Sequence, residues 1–229
     1  IMTGKGGVGK TTIALAFTQW LNSQGHDAVY VSLSQQTLQD ETHLKVPLPK
    51  GWDKTPHYFL DLQVAAEGYI TKKLSSSLVA KWVTHTAFFR ALVNMLPGFG
   101  YVISLGKMLE MIKDSGDKKI LVLDAPASGH ALTMLESTAN FRDIFQAGAV
   151  FEDTEKMLAR LYDPQHTGVR IISLPTQMAM NEALELKAAV NQLAPMDCQI
   201  VMNNSLETWK QELTSAPQAL HEKIRLEEE

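Results

Sequence analysis

An α/β fold, built on a mostly parallel sheet flanked by helices and carrying a helical insertion, is predicted by three features of this chain. Short apolar runs of strand length alternate with stretches of helical periodicity. The runs are apolar almost throughout, as suits strands covered on both faces in a parallel sheet. A glycine-rich stretch, Gly4 to Gly9, lies between the first apolar segment and the first helical one.

Taken in order, Ile1-Met2-Thr3 reads as the end of a buried strand. Strands typically run about 5–6 residues, so this one is expected to begin upstream of Ile1. A helix is expected from about Lys10 to Asn22, with Ile13, Phe17, Trp20 and Leu21 on one side, and Gly25 closes the region. Ala28-Val29-Tyr30-Val31 is a second short buried strand. Residues 34–57, with Pro47, Pro49, Gly51 and Pro56, predict loop. From about Asp61 to Asp114 the pattern is helical, interrupted at Ser75-Ser76-Ser77 and at Pro97-Gly98. Phe88, Leu92 and Met95 keep helical spacing, as do Leu105, Met108, Leu109 and Ile112. This stretch falls between two strands, so it reads as an insertion, at about 61–114, within one domain spanning 1–229.

Ile120-Leu121-Val122-Leu123 makes a third strand that delivers Asp124 at its end. Ile171-Ile172-Ser173-Leu174 and Gln199-Ile200-Val201-Met202 are a fourth and a fifth, with helices near 151–162 and 179–193. The polar tail from about 206 reads as helix without a further core.

Composition narrows the classes of function. Of 229 residues, 45% are hydrophobic and 20% charged, an ordinary globular balance with enough apolar mass for a sizeable core. The formal net charge is −4 and no basic stripe stands out, which argues against nucleic acid as a direct partner. A single cysteine, Cys198, rules out an intrachain disulfide. Apolar stretches are broken by Lys81, Lys107 or Glu110 before reaching the roughly 20 residues a membrane span needs. No signal peptide is visible, and a cytoplasmic location is expected.

Gly4-Lys5-Gly6-Gly7-Val8-Gly9-Lys10-Thr11 matches G-x-x-x-x-G-K-S/T at every fixed position. Glycines let the backbone curl so that several N–H groups converge on phosphate oxygens. The following helix adds the positive end of its dipole. Lys10 is then expected to reach the β- and γ-phosphates, and the Thr11 hydroxyl to ligate Mg²⁺. The spacing predicts a P-loop NTPase fold, with Gly4, Lys5, Gly6, Gly7, Val8, Gly9, Lys10, Thr11 and Thr12 around a nucleoside triphosphate.

Lys5 narrows the motif. Two lysines in G-K-G-G-V-G-K-T-T resemble the deviant Walker A of the group containing ArsA, MinD/ParA and the nitrogenase iron protein. Asp124-Ala125-Pro126-Ala127-Ser128-Gly129-His130 resembles the switch II of ArsA-type ATPases, close to D-T-A-P-T-G-H, with alanine at 125 and 127. Leu96-Pro97-Gly98 with the helix bearing Met108 and Met111 resembles the helical insert before that switch. Leu174-Pro175 followed by Asn181-Glu182-Ala183-Leu184-Glu185, and Val201-Met202-Asn203, resemble later segments of bacterial ArsA-like proteins. The matches run in order over roughly residues 1 to 205.

The resemblance implies MgATP bound between two copies of the chain, with Lys5 reaching the nucleotide of the facing subunit. It implies charge stabilisation by Lys5 and Lys10, Mg²⁺ held by Thr11 and Asp124, and an adenine contact from Asn203. Ser128, Gly129 and His130 would form a nucleotide-sensing switch. The expected activity is ATP hydrolysis, with release of ADP, coupled to an unidentified protein or membrane partner.

One departure from the pattern bears on catalysis. Family members run from the second strand into D-P-A-H-x-L-S-D, whose first aspartate positions the attacking water. Here the stretch is Ser32-Leu33-Ser34-Gln35-Gln36-Thr37-Leu38-Gln39-Asp40, and the aspartate position falls on Leu33 or Ser34. Neither carries a carboxylate able to orient water or draw its proton. Three explanations stay open: Asp40 or Glu41 substitutes, residues of this loop are missing from the sequence, or hydrolysis is slow and the protein is an ATP-gated binder. A non-hydrolysing interaction module is therefore the alternative reading. A MinD/ParA-type positioning ATPase is disfavoured by the tail Glu227-Glu228-Glu229, which anionic lipid and DNA would repel.

No zinc or arsenite site is expected, since one cysteine cannot supply the thiols either needs and the seven histidines lack H-x-x-x-H spacing. Met95, Met108 and Met111 with Phe88, Phe89, Phe99 and Tyr101 raise the alternative of an adaptable groove for hydrophobic cargo, set against ordinary core packing.

Overall fold

The structure is a computed structural model and describes residues 1–33, 48–74, 86 and 98–205. Its strands are β1 (Met2–Gly4), β2 (Asp27–Leu33), β3 (His57–Leu60), β4 (Lys119–Asp124), β5 (Gly168–Ser173) and β6 (Asp197–Met202). Its helices are α1 (Lys10–Ser23), α2 (Leu62–Leu74), α3 (Phe99–Asp114), α4 (Ser128–Phe145), α5 (Ala149–Leu161) and α6 (Gln177–Leu193). The strands form one sheet in the order β3-β2-β4-β1-β5-β6, and every pairing is parallel. An all-parallel sheet of this order satisfies the α/β expectation.

Side chains of successive strand residues point to opposite faces, and that alternation divides the core in two. Ala28, Tyr30, Val122 and Ile172 face α1, where they pack with Ala14, Leu15 and Leu21. Val31, Leu123, Ile171 and Val169 face the other way, against side chains of α3, α4, α5 and α6 such as Val102, Met134, Met157 and Leu186. Asp124 of β4 lies level with Ser32 of β2 and Met2 of β1, so the polar ends of β2 and β4 meet at the edge from which β1 runs into the glycine loop.

Three elements differ from the sequence reading. His57–Leu60 is a strand at the sheet margin, where the sequence predicts loop through residue 57. Four residues, with the first exposed, are too short to show a pattern. Helix α4 was not anticipated; its buried positions Ala131, Met134, Leu135, Thr138 and Phe141 keep helical spacing, but the polar Thr133, Ser137 and Asn140 between them dilute it. The buried side of α1 is Ala14, Leu15, Thr18 and Leu21, whereas Phe17 and Trp20 stack on each other at 5.6 Å and stay 37% and 54% exposed. The glycine loop sets the rotational phase of α1, and small residues let it approach the sheet closely.

The methionine-rich insert is mainly core where it is described. Met108 is buried, Phe99 stacks on Phe141 with ring centroids 5.5 Å apart, and Tyr101 packs against the same cluster. Phe88, Phe89 and Met95 lie outside the described residues. Among the described residues no helix is long and apolar enough to cross a membrane.

Candidate nucleotide-binding site

Gly4 to Gly9 connect β1 to α1 at the carboxyl edge of the sheet, where open α/β folds bind their ligands. Two glycines are required by the space. Gly4 has φ +142°, and a Cβ there would sit 2.2 Å from the Ile172 carbonyl oxygen of the adjacent strand. Gly9 has φ +88°, and its Cβ would meet the Asn203 amide nitrogen at 2.5 Å. The loop is thus wedged between β5 and the end of β6. No side chain caps α1, so its first-turn N–H groups are left for a ligand.

Lys10 closes the loop from within, its Nζ donating to the Lys5 carbonyl oxygen at 2.9 Å. Burial pulls the Lys10 pKa down, and the Asp124 carboxylate works against that shift. An ammonium whose charge is incompletely compensated is suited to a polyanion. Asn203 braces the loop from outside, donating from Nδ2 to the Val8 carbonyl oxygen at 2.8 Å.

The Thr11 hydroxyl donates to Asp124 Oδ2 at 2.6 Å, across 113 residues of sequence. The Tyr30 hydroxyl donates to the same oxygen at 2.8 Å. Burial first, and then the carboxylate charge, push the Tyr30 pKa well above the usual tyrosine range. The segment after β4 is tied back to β1, through Ala125 N–H to the Met2 carbonyl at 2.9 Å and Thr3 Oγ1 to the Pro126 carbonyl at 3.1 Å. A hydroxyl and a carboxylate side by side are oxygen ligands of the kind a hard divalent cation takes, so Mg²⁺ fits this pair.

Lys5 Nζ pairs with Glu182 Oε1 of α6 at 2.6 Å, both side chains more than a third exposed. Ser128 is half-buried at the start of α4, while Gly129 and His130 are exposed there, and Thr12 is exposed on α1. Leu33 ends β2 half-buried; Ser34, Asp40 and Glu41 lie outside the described residues.

The fold thus gathers Lys5, Lys10, Thr11, Asp124 and Asn203 about one loop. Sequence reasoning did not assign Tyr30, Glu182 or Thr3 to it. Tyr30 was counted only as an apolar strand residue, and its link to Asp124 depends on how β2 and β4 are aligned. A cavity of about 380 Å³ lies at the opposite, amino edge among Leu105, Ile112, Leu121 and Arg160. It contains none of these groups.

Comparison with known proteins agrees with this arrangement. The anion-transporting ATPase family matches residues 1–149. The chain is 24% identical over 214 residues to the ATPase BagA of Mycobacterium tuberculosis, covering 87% of this chain and 62% of that protein. It is 27% identical over 223 residues to the arsenical pump-driving ATPase of Acidiphilium multivorum, covering 90% of this chain and 34% of that protein. The protein of the same name from Escherichia coli is 26% identical over the same length. The chain therefore spans less than two thirds of these relatives. A family match over more than half its residues, with the glycine loop and Asp124 both inside it, makes this chain a member of the anion-transporting ATPase family.

Proposed function

We propose that the chain is a cytoplasmic MgATP-dependent ATPase acting as a nucleotide-sandwich homodimer. The observation that carries this reading is the contact of Thr11 with Asp124 beside a loop closed by Lys10. In this reading the loop N–H groups and the Lys10 ammonium hold the β- and γ-phosphates, and Asn203 is placed for the adenine. Thr11 and Asp124 hold Mg²⁺, which would supply charge neutralisation at the β- and γ-phosphate oxygens. Ser128, Gly129 and His130, on the segment that follows Asp124, carry the response to the γ-phosphate. β5 and β6 lie beyond the matched residues yet continue the same sheet from β1, which supports reading 1–229 as one domain with an insertion at about 61–114.

Lys5 completes the site of a facing copy only after leaving Glu182. An ion pair this exposed contributes about 0–1 kcal/mol, so contact with a second nucleotide easily outweighs it. What the dimer drives is a protein or membrane partner; the names of the relatives point to pumps, but the chain spans only about a third of those pump ATPases.

A second reading, an ATP-gated binder that does not hydrolyse, is favoured by one fact: Leu33 and Ser34 stand where a water-positioning aspartate is expected. Single-turnover hydrolysis decides between them. A wild-type rate at least tenfold above Lys10→Ala, reduced again in Asp40→Ala, supports the enzyme with Asp40 as the substitute. A wild-type rate equal to that of Lys10→Ala leaves the binder.

A further inference from the structure

We propose that Tyr30 is a positioning residue for the cation-binding carboxylate: its hydroxyl holds Asp124 Oδ2 in place beside the Thr11 hydroxyl. This rests on the reading above, in which Thr11 and Asp124 hold Mg²⁺. Tyr30 is 3% exposed in a cluster otherwise made of Met2, Ala14, Leu15, Val122 and other apolar residues. Any apolar side chain would fill such a position. A hydroxyl buried there is costly unless it is bonded, and its bond is to Asp124.

The alignment of the strands explains how the contact arises. Tyr30 lies opposite Val122 in the β2–β4 pair, two residues short of the level where Ser32 faces Asp124. Its long ring carries the oxygen forward over that gap to Asp124 Oδ2. Asp124 Oδ2 thereby accepts two hydrogen bonds, one from Thr11 and one from Tyr30. The carboxylate torsion of aspartate is broad and roughly two-fold, so one donor alone leaves it freer to turn. Two donors on one oxygen hold it. A hydroxyl has one proton and two lone pairs; with its proton committed to Asp124, Thr11 keeps its lone pairs for a cation. Tyr30 touches neither nucleotide nor cation and acts through Asp124.

The test is nucleotide affinity of the full-length protein, measured with a fluorescent ATP analogue in Mg²⁺ and in EDTA. Tyr30→Phe keeps the ring and removes the oxygen. Its affinity in Mg²⁺ should fall about three- to tenfold, the size expected for one hydrogen bond to a charged group. Its affinity in EDTA should stay within twofold of wild type, and half-maximal binding should need more Mg²⁺. In an Asp124→Asn background the same change should have no further effect. Tyr30→Met supplies a second apolar occupant should the phenylalanine variant fail to fold. Equal affinities in Mg²⁺ for wild type and variant would overturn the proposal, and so would a loss of the same size in both buffers. A wild-type protein with no Mg²⁺-dependent affinity would instead remove the underlying reading, and this inference with it.

Discussion

At the carboxyl edge of the sheet, Thr3, Thr11, Tyr30, Asp124 and Asn203 are bonded to one another, to the glycine loop or to the segment after β4 within 2.6–3.1 Å. At the amino edge of the same sheet lies a cavity of about 380 Å³, walled on one side by Leu105, Met108, Leu109, Ile112 and Leu121. The first region has little empty volume and a dense pattern of donors and acceptors. The second has volume, and the cations lining it, Lys119, Arg160 and Arg170, are paired with Asp27, Asp117 and Asp197. Concavity usually guides the search for a site, but a triphosphate is recognised by N–H groups, ammonium groups and a cation. A glycine loop can present these from an open surface, so bonding pattern is the better guide here.

Substitutions at the two edges should therefore separate stability from binding. Leu105→Ala, at a buried position on the cavity wall, should cost about 2–5 kcal/mol in urea unfolding while leaving the ATP affinity of the folded protein unchanged. Lys10→Ala should do the reverse, lowering ATP affinity about 10- to 100-fold in calorimetric titration with little change in the unfolding midpoint. Weakened binding in Leu105→Ala would break the contrast.

Gly9→Ala tests whether the polar edge is as tightly fitted as its distances indicate. The residue would carry a left-handed φ, costing about 1–2 kcal/mol, and its Cβ would push the Asn203 amide off the Val8 carbonyl. Both stability and ATP affinity should drop, and Asn203→Ala should restore part of the lost stability by opening the space. No recovery in the double variant would mean that the backbone conformation alone sets the cost.

The smallest effect concerns alkali on the helical side of the sheet. Burial raises the pKa of Tyr69, Tyr101 and Tyr162, and for Tyr69 the Asp153 carboxylate, 2.9 Å away, adds to the shift. These groups are held neutral in the folded chain more firmly than in the unfolded one. Their contribution is complete below the unfolded value of about 10 and is lost as pH rises from there toward the folded values. The urea midpoint should be lower at pH 11 than at pH 9, and replacing Tyr69 with Phe should flatten that difference.

Much of the fold was legible because parallel strands are covered on both faces and so appear as unbroken apolar runs. β2, β4, β5 and β6 all surfaced in that way, and the glycine loop identified itself by spacing. What escaped depends on partners distant in sequence. β3 is an edge strand of four residues, and α4 mixes threonine, serine and asparagine into its apolar stripe. Tyr30 meets Asp124 across 94 residues, and Lys5 meets Glu182 across 177. Local periodicity contains no information about either encounter; strand alignment and helix placement decide both.

The bond from Asn203 to Val8 joins positions 195 residues apart. The glycine loop is thus not fully buttressed until β6, far along the chain, has been made and docked. A nascent chain stopped after β5 would already hold the glycines, Lys10 and Asp124, yet its loop would lack an outer strut.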